Sequence, residues 1–437
     1  MAGRGDDKGG TSPLLEPLRS IRRRRGTATT AQTLGNIIVS IVGTGVLGLP
    51  FAFRNAGWLS ASLALTFAAL STLYTMLLLV RCRDRLEEED PAVEINTYGD
   101  LGGKALGEVG RYATEFLVVI SQSGGAVAYL VFIGQNLQTL LPASSAATNI
   151  TTPSFFIFAL LLPAEIVLSF IKSLPSLAPF SAFADACNLL AMAIVIKTDI
   201  QLLFRGGAGG GIFSRRPAFA GGAAGLLFAM GVSVFCFEGF GVTLALESSM
   251  ADPRRFSSVL SQAFAAITSV YVCFGFFGYF AYGDLTRDIV TLNLPHDWSA
   301  AVVKVGLCIA LTFTFPIMMH PIHEIVEARL RTSGWSRKLF YGSRGTEYVA
   351  VHVSRSLLVV AVALVASVIP GFGAFISFVG GTVCALLSFV FPAWFHLILM
   401  GPSLDLRQKV IDYMIVIAGL AFAGYGTFNT VSGHSGG

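Results

Sequence analysis

The sequence predicts an all-α membrane protein of eleven transmembrane helices, arranged as a 5+5 inverted repeat plus one extra helix, with helices one and six broken. Three observations predict it. Only 13% of the 437 residues are charged and 54% are apolar, whereas about a quarter of a soluble domain is charged. Eleven apolar runs follow one another along the chain, each near the length that a hydrocarbon core demands. The first and the sixth carry helix-breaking residues at mid-span.

The runs lie at roughly 31–53, 58–80, 113–141, 155–171, 180–204, 222–247, 258–282, 299–323, 353–369, 374–400 and 410–430. They are too long and too uniformly apolar for strands that alternate between lipid and lumen, so a β-barrel fits poorly. Residues 1–30 read as a disordered cytosolic tail and 31–430 as the transmembrane domain. Within that domain the first repeat covers about 31–204, the second about 222–400 and the extra helix about 410–430, with 431–437 a short non-cytosolic tail.

Orientation follows from the basic residues, whose excess stays on the cytosolic side. With the N-terminus inside, 23 of the 30 Lys and Arg are cytosolic and six are outside. The discordant segment is Lys197, Arg205, Arg215 and Arg216. The Asn149-Ile150-Thr151 triplet falls outside in this scheme, where glycosylation of Asn149 is chemically allowed. Arg22 to Arg25 read as an orientation anchor. No apolar run precedes a small-residue cleavage site, so no signal peptide is expected.

Several function classes are excluded. A net charge of +4 is too small to argue for nucleic acid. The six cysteines form no C-x-x-C pair and no cluster with histidine, so no metal site is expected and all six read as small buried hydrophobes. Nor is there a P-loop, a Gly-x-Ser-x-Gly elbow or a Ser/His/Asp set, so no enzyme chemistry and no cofactor are expected.

The first span reads Ile41-Val42-Gly43-Thr44-Gly45-Val46-Leu47-Gly48-Leu49-Pro50. Each glycine costs about 1 kcal/mol against alanine in a helix, and proline more. Pro50 lacks the amide that would bond the Val46 carbonyl. The sixth span repeats the interruption at Phe235-Cys236-Phe237-Glu238-Gly239-Phe240-Gly241. Freed backbone groups cannot face lipid, so both stretches must be buried in protein or line a wet cavity. Interrupted helices at matching positions of two halves point to an inverted-repeat carrier with its site at mid-membrane. A substrate carboxylate would take the Thr44, Gly45 and Val46 amides, and an ammonium the carbonyls near Ile41, Val42, Phe235 and Cys236. Close helix packing is the competing use of such glycines.

Ionisable residues inside a membrane are functional hypotheses by default. Glu238 lies in the broken segment, as a proton-coupling or gating group or as a fixed acceptor that holds the unwound turn. Asp185, with Ser181 and Asn188 on the same helix face, is the second candidate for gating. Glu115 and Glu165 read as solvated helix-end groups, Glu247 as the cytoplasmic rim of span six, and Lys304 as a side chain that snorkels outward. Thr312 and Thr314, before Pro316, could form a cation site or bond back to the preceding turn. His320, His323 and His396 read as packed or interfacial. Tyr129, Phe237, Phe240 and Phe315 are the aromatic residues expected nearest the cavity.

Seven stretches then resemble one family, the amino acid/auxin permeases. They are TLGNIIVSIVGTGVLGLPFAFRNAGW from Thr33, TYGDLG from Thr97, YLVFIGQNL from Tyr129, FADACN from Phe183, FCFEGFGVTLALESSM from Phe235, GYFAYGD from Gly278 and TFTFPIMMHP from Thr312. Plant members that carry aromatic and neutral amino acids are the most similar, with vacuolar members further off. The resemblance implies a LeuT-like bundle, a cytosolic N-terminus, and proton-coupled symport of amino acids, in some members also of auxin-like indole acids. It carries the substrate-carboxylate turn to Gly43, Thr44 and Gly45 and the facing turn to Phe235, Cys236, Phe237 and Glu238. A sodium-coupled carrier and an amino acid sensor are the rival readings. The expected partners are an amino acid and the bilayer, for a monomer in the vacuolar, endoplasmic reticulum or plasma membrane with its C-terminus outside the cytosol.

Overall fold

The computed structural model describes residues 26–90, 95–140, 152–171, 174–205, 216–295, 297–332 and 344–431. The expectations for Arg22 to Arg25, Asn149 and the side chain of Asp185 lie outside the described residues. The first span is two helices, α1 (Thr30–Ile41) and α2 (Leu49–Ala56), joined by a tight 3-10 turn at Thr44–Gly48. Then come α3 (Trp58–Glu89), α4 (Tyr98–Leu140), the shorter α5 (Pro153–Ser169) and α6 (Leu174–Arg205). The second half begins with α7 (Gly222–Cys236) and α8 (Phe240–Ser249), followed by α9 (Phe256–Tyr282) and α10 (Trp298–Thr332). It ends with α11 (Arg344–Val368), α12 (Phe372–Ser403) and α13 (Leu406–Val431).

Among the described residues, nine helices are long and apolar enough to cross a membrane, and ten if the bent pair of α1 with residues 44–56 is one span. Pro153–Ser169 is apolar but shorter. The chain is a multi-pass helical membrane protein.

Three local results differ from the sequence reading. Winding stops at Ile41, and Val42 and Gly43 are extended, so the α-helix is interrupted from one residue before the first glycine. Pro50 leaves no carbonyl stranded, because it sits in the first turn of α2 and the Leu49 amide bonds the Val46 carbonyl instead. A helix's first turn needs no donor from proline. Farther on, α4 starts well before the expected span and turns sharply at Gly107, whose φ of 66° is open to glycine and costly for other residues.

Helices α7 and α12 lock together where their backbones touch. A Cβ on Gly380 of α12 would lie 1.9 Å from the Gly231 carbonyl oxygen of α7, and one on Gly231 would lie 2.4 Å from the Ser377 carbonyl oxygen. Small residues permit such an approach, which gains dispersion contacts that lipid cannot supply. Gly380→Ala should force α7 and α12 apart and cost about 1–3 kcal/mol. A lowered thermal midpoint in detergent would show it, and an unchanged midpoint would contradict this packing.

At the end that carries the N-terminus, the Ala28 amide donates to the Ser249 carbonyl at 3.0 Å, and the Ala251 amide to the Ala28 carbonyl at 2.9 Å. The segment before α1 is thereby tied to the segment after α8. Beside it, fully buried Arg83 of α3 pairs with Glu247 of α8 and with Asp84 at 3.0 Å, and donates to the Leu244 carbonyl at 3.2 Å. Glu247 is thus buried in an ion pair rather than left at a rim. Glu115 is paired as well, accepting from Arg329 Nε at 2.9 Å and from Arg111 Nε at 3.0 Å. On α12, His396 Nδ1 lies 2.6 Å from Asp412 Oδ2, which joins that helix to α13.

Three expectations are corrected. Glu165 is fully buried where α10 and α11 cover α5, and neither carboxyl oxygen has a hydrogen-bond partner among the described residues. Lys304 does not snorkel, because its buried ammonium donates to Thr139 Oγ1 at 3.1 Å near the end of α4. Cys273 is exposed and Cys187 half-buried, whereas the other four cysteines are buried.

Candidate functional site: a cavity between two interrupted helices

The two interruptions face one cavity of about 250 Å³. Ligand pockets usually measure about 300–1,000 Å³, so this one suits a small molecule. Its walls come from the 41–45 segment, from Phe235, Cys236, Glu238 and Gly239, and from the middles of α4, α6 and α10. The Thr44–Gly48 turn has no side-chain cap, so its first amides lack partners inside the turn. Gly239 opens α8 in the same way, without a side-chain cap. The opposite polarity is supplied by the last carbonyls of α1 and α7.

Tyr271 of α9, which the sequence reading missed, bridges those carbonyl ends. Its buried hydroxyl donates toward Ile41 O at 3.3 Å and toward Cys236 O at 3.5 Å. One hydroxyl thereby links the carbonyl ends of both half-helices. Its ring lies 5.4 Å from that of Phe237. Tyr271→Phe leaves both carbonyls poorer by one donor, at about 1–3 kcal/mol when such groups stay buried. We expect a lower thermal midpoint and weaker substrate affinity; unchanged values for both would remove Tyr271 from the site.

The cavity has one open end. Val39 and Ser40 of α1 and Gly241 and Val242 of α8 line it and are exposed, Val39 at 41% and Val242 at 40%. Thr44 to Gly48 at the other end are buried. There a Cβ on Gly48 would lie 2.7 Å from Ile376 Cδ1, and the Phe132 and Phe372 rings meet at 6.2 Å. The opening is therefore on the side of the N-terminus.

Of the residues expected at the site, Gly43, Thr44, Gly45, Tyr129, Phe235, Cys236, Glu238 and Thr314 line the cavity. Val46, Phe237, Phe240 and Phe315 do not, being fully buried in the core around it. Phe237 stacks on Phe264 at 5.6 Å and Phe240 on Tyr98 at 6.3 Å. Glu238 is half-buried, and its carboxyl makes no hydrogen bond or ion pair with a described residue. Thr312 is not in the wall, and its hydroxyl donates to the Cys308 carbonyl at 2.9 Å. Thr314 donates likewise to the Ala310 carbonyl at 2.9 Å. Asn188, placed beside Asp185 from the sequence, does line the cavity. Ser121, Gln122 and Gly125 of α4 were missed, although the polar and small run Ser121-Gln122-Ser123-Gly124-Gly125 in an apolar span was a readable signal.

A multi-pass helical bundle with a small, amphoteric, one-ended cavity at the meeting of two interrupted helices defines a class of membrane carrier. The chain belongs to the transmembrane amino acid transporter protein family, which it matches over residues 26–432. It is 54% identical over 425 residues to the Arabidopsis thaliana amino acid transporter ANT1, covering 96% of each chain. The Arabidopsis amino acid transporter AVT3C is 37% identical, over 92% of this chain and 90% of that one. Both relatives are named as transporters, not as enzymes. Among solved structures, MhsT in complex with L-phenylalanine has the same fold, with a TM-score of 0.51 at 16% identity over 92% of this chain and all of that one.

Proposed function

We propose that this protein is a proton-coupled secondary active transporter of neutral and aromatic amino acids. The observation that carries the reading is the pairing of uncapped amides at Thr44 and Gly45 with half-helix carbonyl ends around one small cavity. Those backbone ends complement the carboxylate and ammonium of a zwitterion. Phe235 and Tyr129 offer aromatic surface to the side chain. Auxin-like indole acids carry the carboxylate without the ammonium, so they measure what the carbonyl ends contribute.

The architecture we propose has eleven spans, with α5 as the fourth, in a LeuT-like 5+5 inverted repeat plus α13. Helices one and six are broken, the N-terminus is cytosolic, and the chain acts as a monomer in an endomembrane or the plasma membrane. The open end of the cavity then faces the cytosol, and transport requires that end to close while the seal that Phe132, Phe372 and Ile376 form at the other end opens. Glu238 carries the proton. The Thr312 and Thr314 hydroxyls are turned back on their own helix, which favours protons over sodium. Uptake of a panel of amino acids by proteoliposomes tests this. A pH gradient should drive accumulation in sodium-free buffer; accumulation that needs sodium, or none under any gradient, would overturn it.

A further inference from the structure

Two more cavities lie on the far side of α7 from the substrate site, at the end of the bundle opposite the N-terminus. The first, of about 610 Å³, runs between α3, α7 and α13 and has no charged residue in its described lining. Leu63, Phe67 and Leu226 open it to the hydrocarbon, at 58%, 63% and 42% exposure. The second, of about 540 Å³, shares Leu227 and Phe422 with the first as walls. It is lined by Arg54, Arg287 and Asp288. The two adjoin across Leu227 and Phe422, which makes a crevice with an apolar body beside a basic head.

The charges in that head are not equally available. Asp288 Oδ2 already accepts the Phe372 amide at 2.7 Å, at the start of α12. Arg54 uses Nη1 on the Thr286 carbonyl at 3.0 Å and lies 5.5 Å from the Phe51 ring centre, which leaves further guanidinium donors. The Arg287 side chain is exposed and makes no hydrogen bond with a described residue. The free donors are therefore cationic, and they stand where α2 ends and α7 begins, at the membrane boundary.

We propose that this crevice binds a phospholipid with an anionic headgroup from the leaflet opposite the N-terminus. The phosphate lies between Arg54 and Arg287, and one acyl chain fills the apolar body against Leu227 and Phe422. Basic pockets between transmembrane helices hold lipid headgroups by this chemistry. Because α7 is one wall, an occupied crevice braces a half-helix of the substrate site against α13.

The test uses the full chain in nanodiscs and does not depend on any transport activity. Phosphatidylglycerol with a photoreactive diazirine in its acyl chain is compared with phosphatidylcholine carrying the same tail, and labelled peptides are mapped. Phosphatidylglycerol should label residues 222–230 and 415–422 in preference to the rest of the lipid-facing surface. Removing each arginine should lower that labelling roughly fivefold, in Arg54→Ala and in Arg287→Ala. Ala418→Trp, which fills the apolar body and touches neither arginine, should abolish it and keeps the test decisive if an arginine variant fails to fold. Equal labelling by both lipids, labelling spread over the whole surface, or preferential labelling by a diazirine sterol would each overturn the proposal.

Discussion

Gly45→Val should abolish amino acid binding. A Cβ at this position would lie 2.9 Å from Cys236 Sγ and 3.0 Å from Phe235 Cδ1, so the two interrupted segments meet with no room for a side chain. Valine adds two more carbons to that first clash. The 3-10 turn would have to shift, and its amides would no longer aim at the cavity. A charge-assisted hydrogen bond contributes about 1.5–3 kcal/mol, so losing two weakens binding at least a hundredfold. Calorimetric titration of purified protein with a panel of amino acids reads the effect. Retained affinity in a folded Gly45→Val variant would show that the ligand does not use this turn.

The second large effect belongs to Glu238. It is a half-buried carboxyl between α7 and α8, facing the cavity, with no described cation to hold it ionised. Glutamine keeps the size and the acceptor oxygen but cannot release a proton. Glu238→Gln should reduce uptake driven by a pH gradient to background while exchange of internal for external amino acid continues. Glu238→Asp, which restores an ionisable group one carbon shorter, should recover part of the driven uptake. Exchange and driven uptake lost together would instead mark Glu238 as part of the substrate grip, and an unchanged pH response would remove its proton role.

Much of the site was legible because it is written in backbone chemistry. Three glycines and a proline at 43–50, and Gly239 and Gly241 beside Glu238, weaken an α-helix locally. The cavity indeed lies between these two segments. Aromatic neighbours were less legible, since 35 phenylalanines carry the same pattern and only helix rotation separates wall from core. Phe235 faces the cavity while Phe237, Phe240 and Phe315 are packed behind it. Tyr271 was invisible for a related reason. Its hydroxyl matters because α9 crosses both carbonyl ends, a fact of packing that no local motif records. Pairings across the sequence were hidden too: Arg83 counted as one more cytosolic charge, and Lys304 gave no hint of Thr139.

The same limit applies to the crevice behind α7. Arg54 and Arg287 are distant in sequence and each reads as an ordinary loop charge, yet the fold sets both at one cavity that adjoins an apolar groove. Neither residue lines the substrate cavity. The cavities are thus separate in the molecule, with α7 between them.

The most direct measurement is an experimental structure with an aromatic amino acid bound. The account predicts the ligand in the 250 Å³ cavity, its carboxylate within about 3 Å of the Thr44 and Gly45 amides and its ammonium against the carbonyl ends of α1 and α7. A ligand held elsewhere, or held in this cavity by side chains alone with the first span wound continuously through residues 41–45, would contradict it.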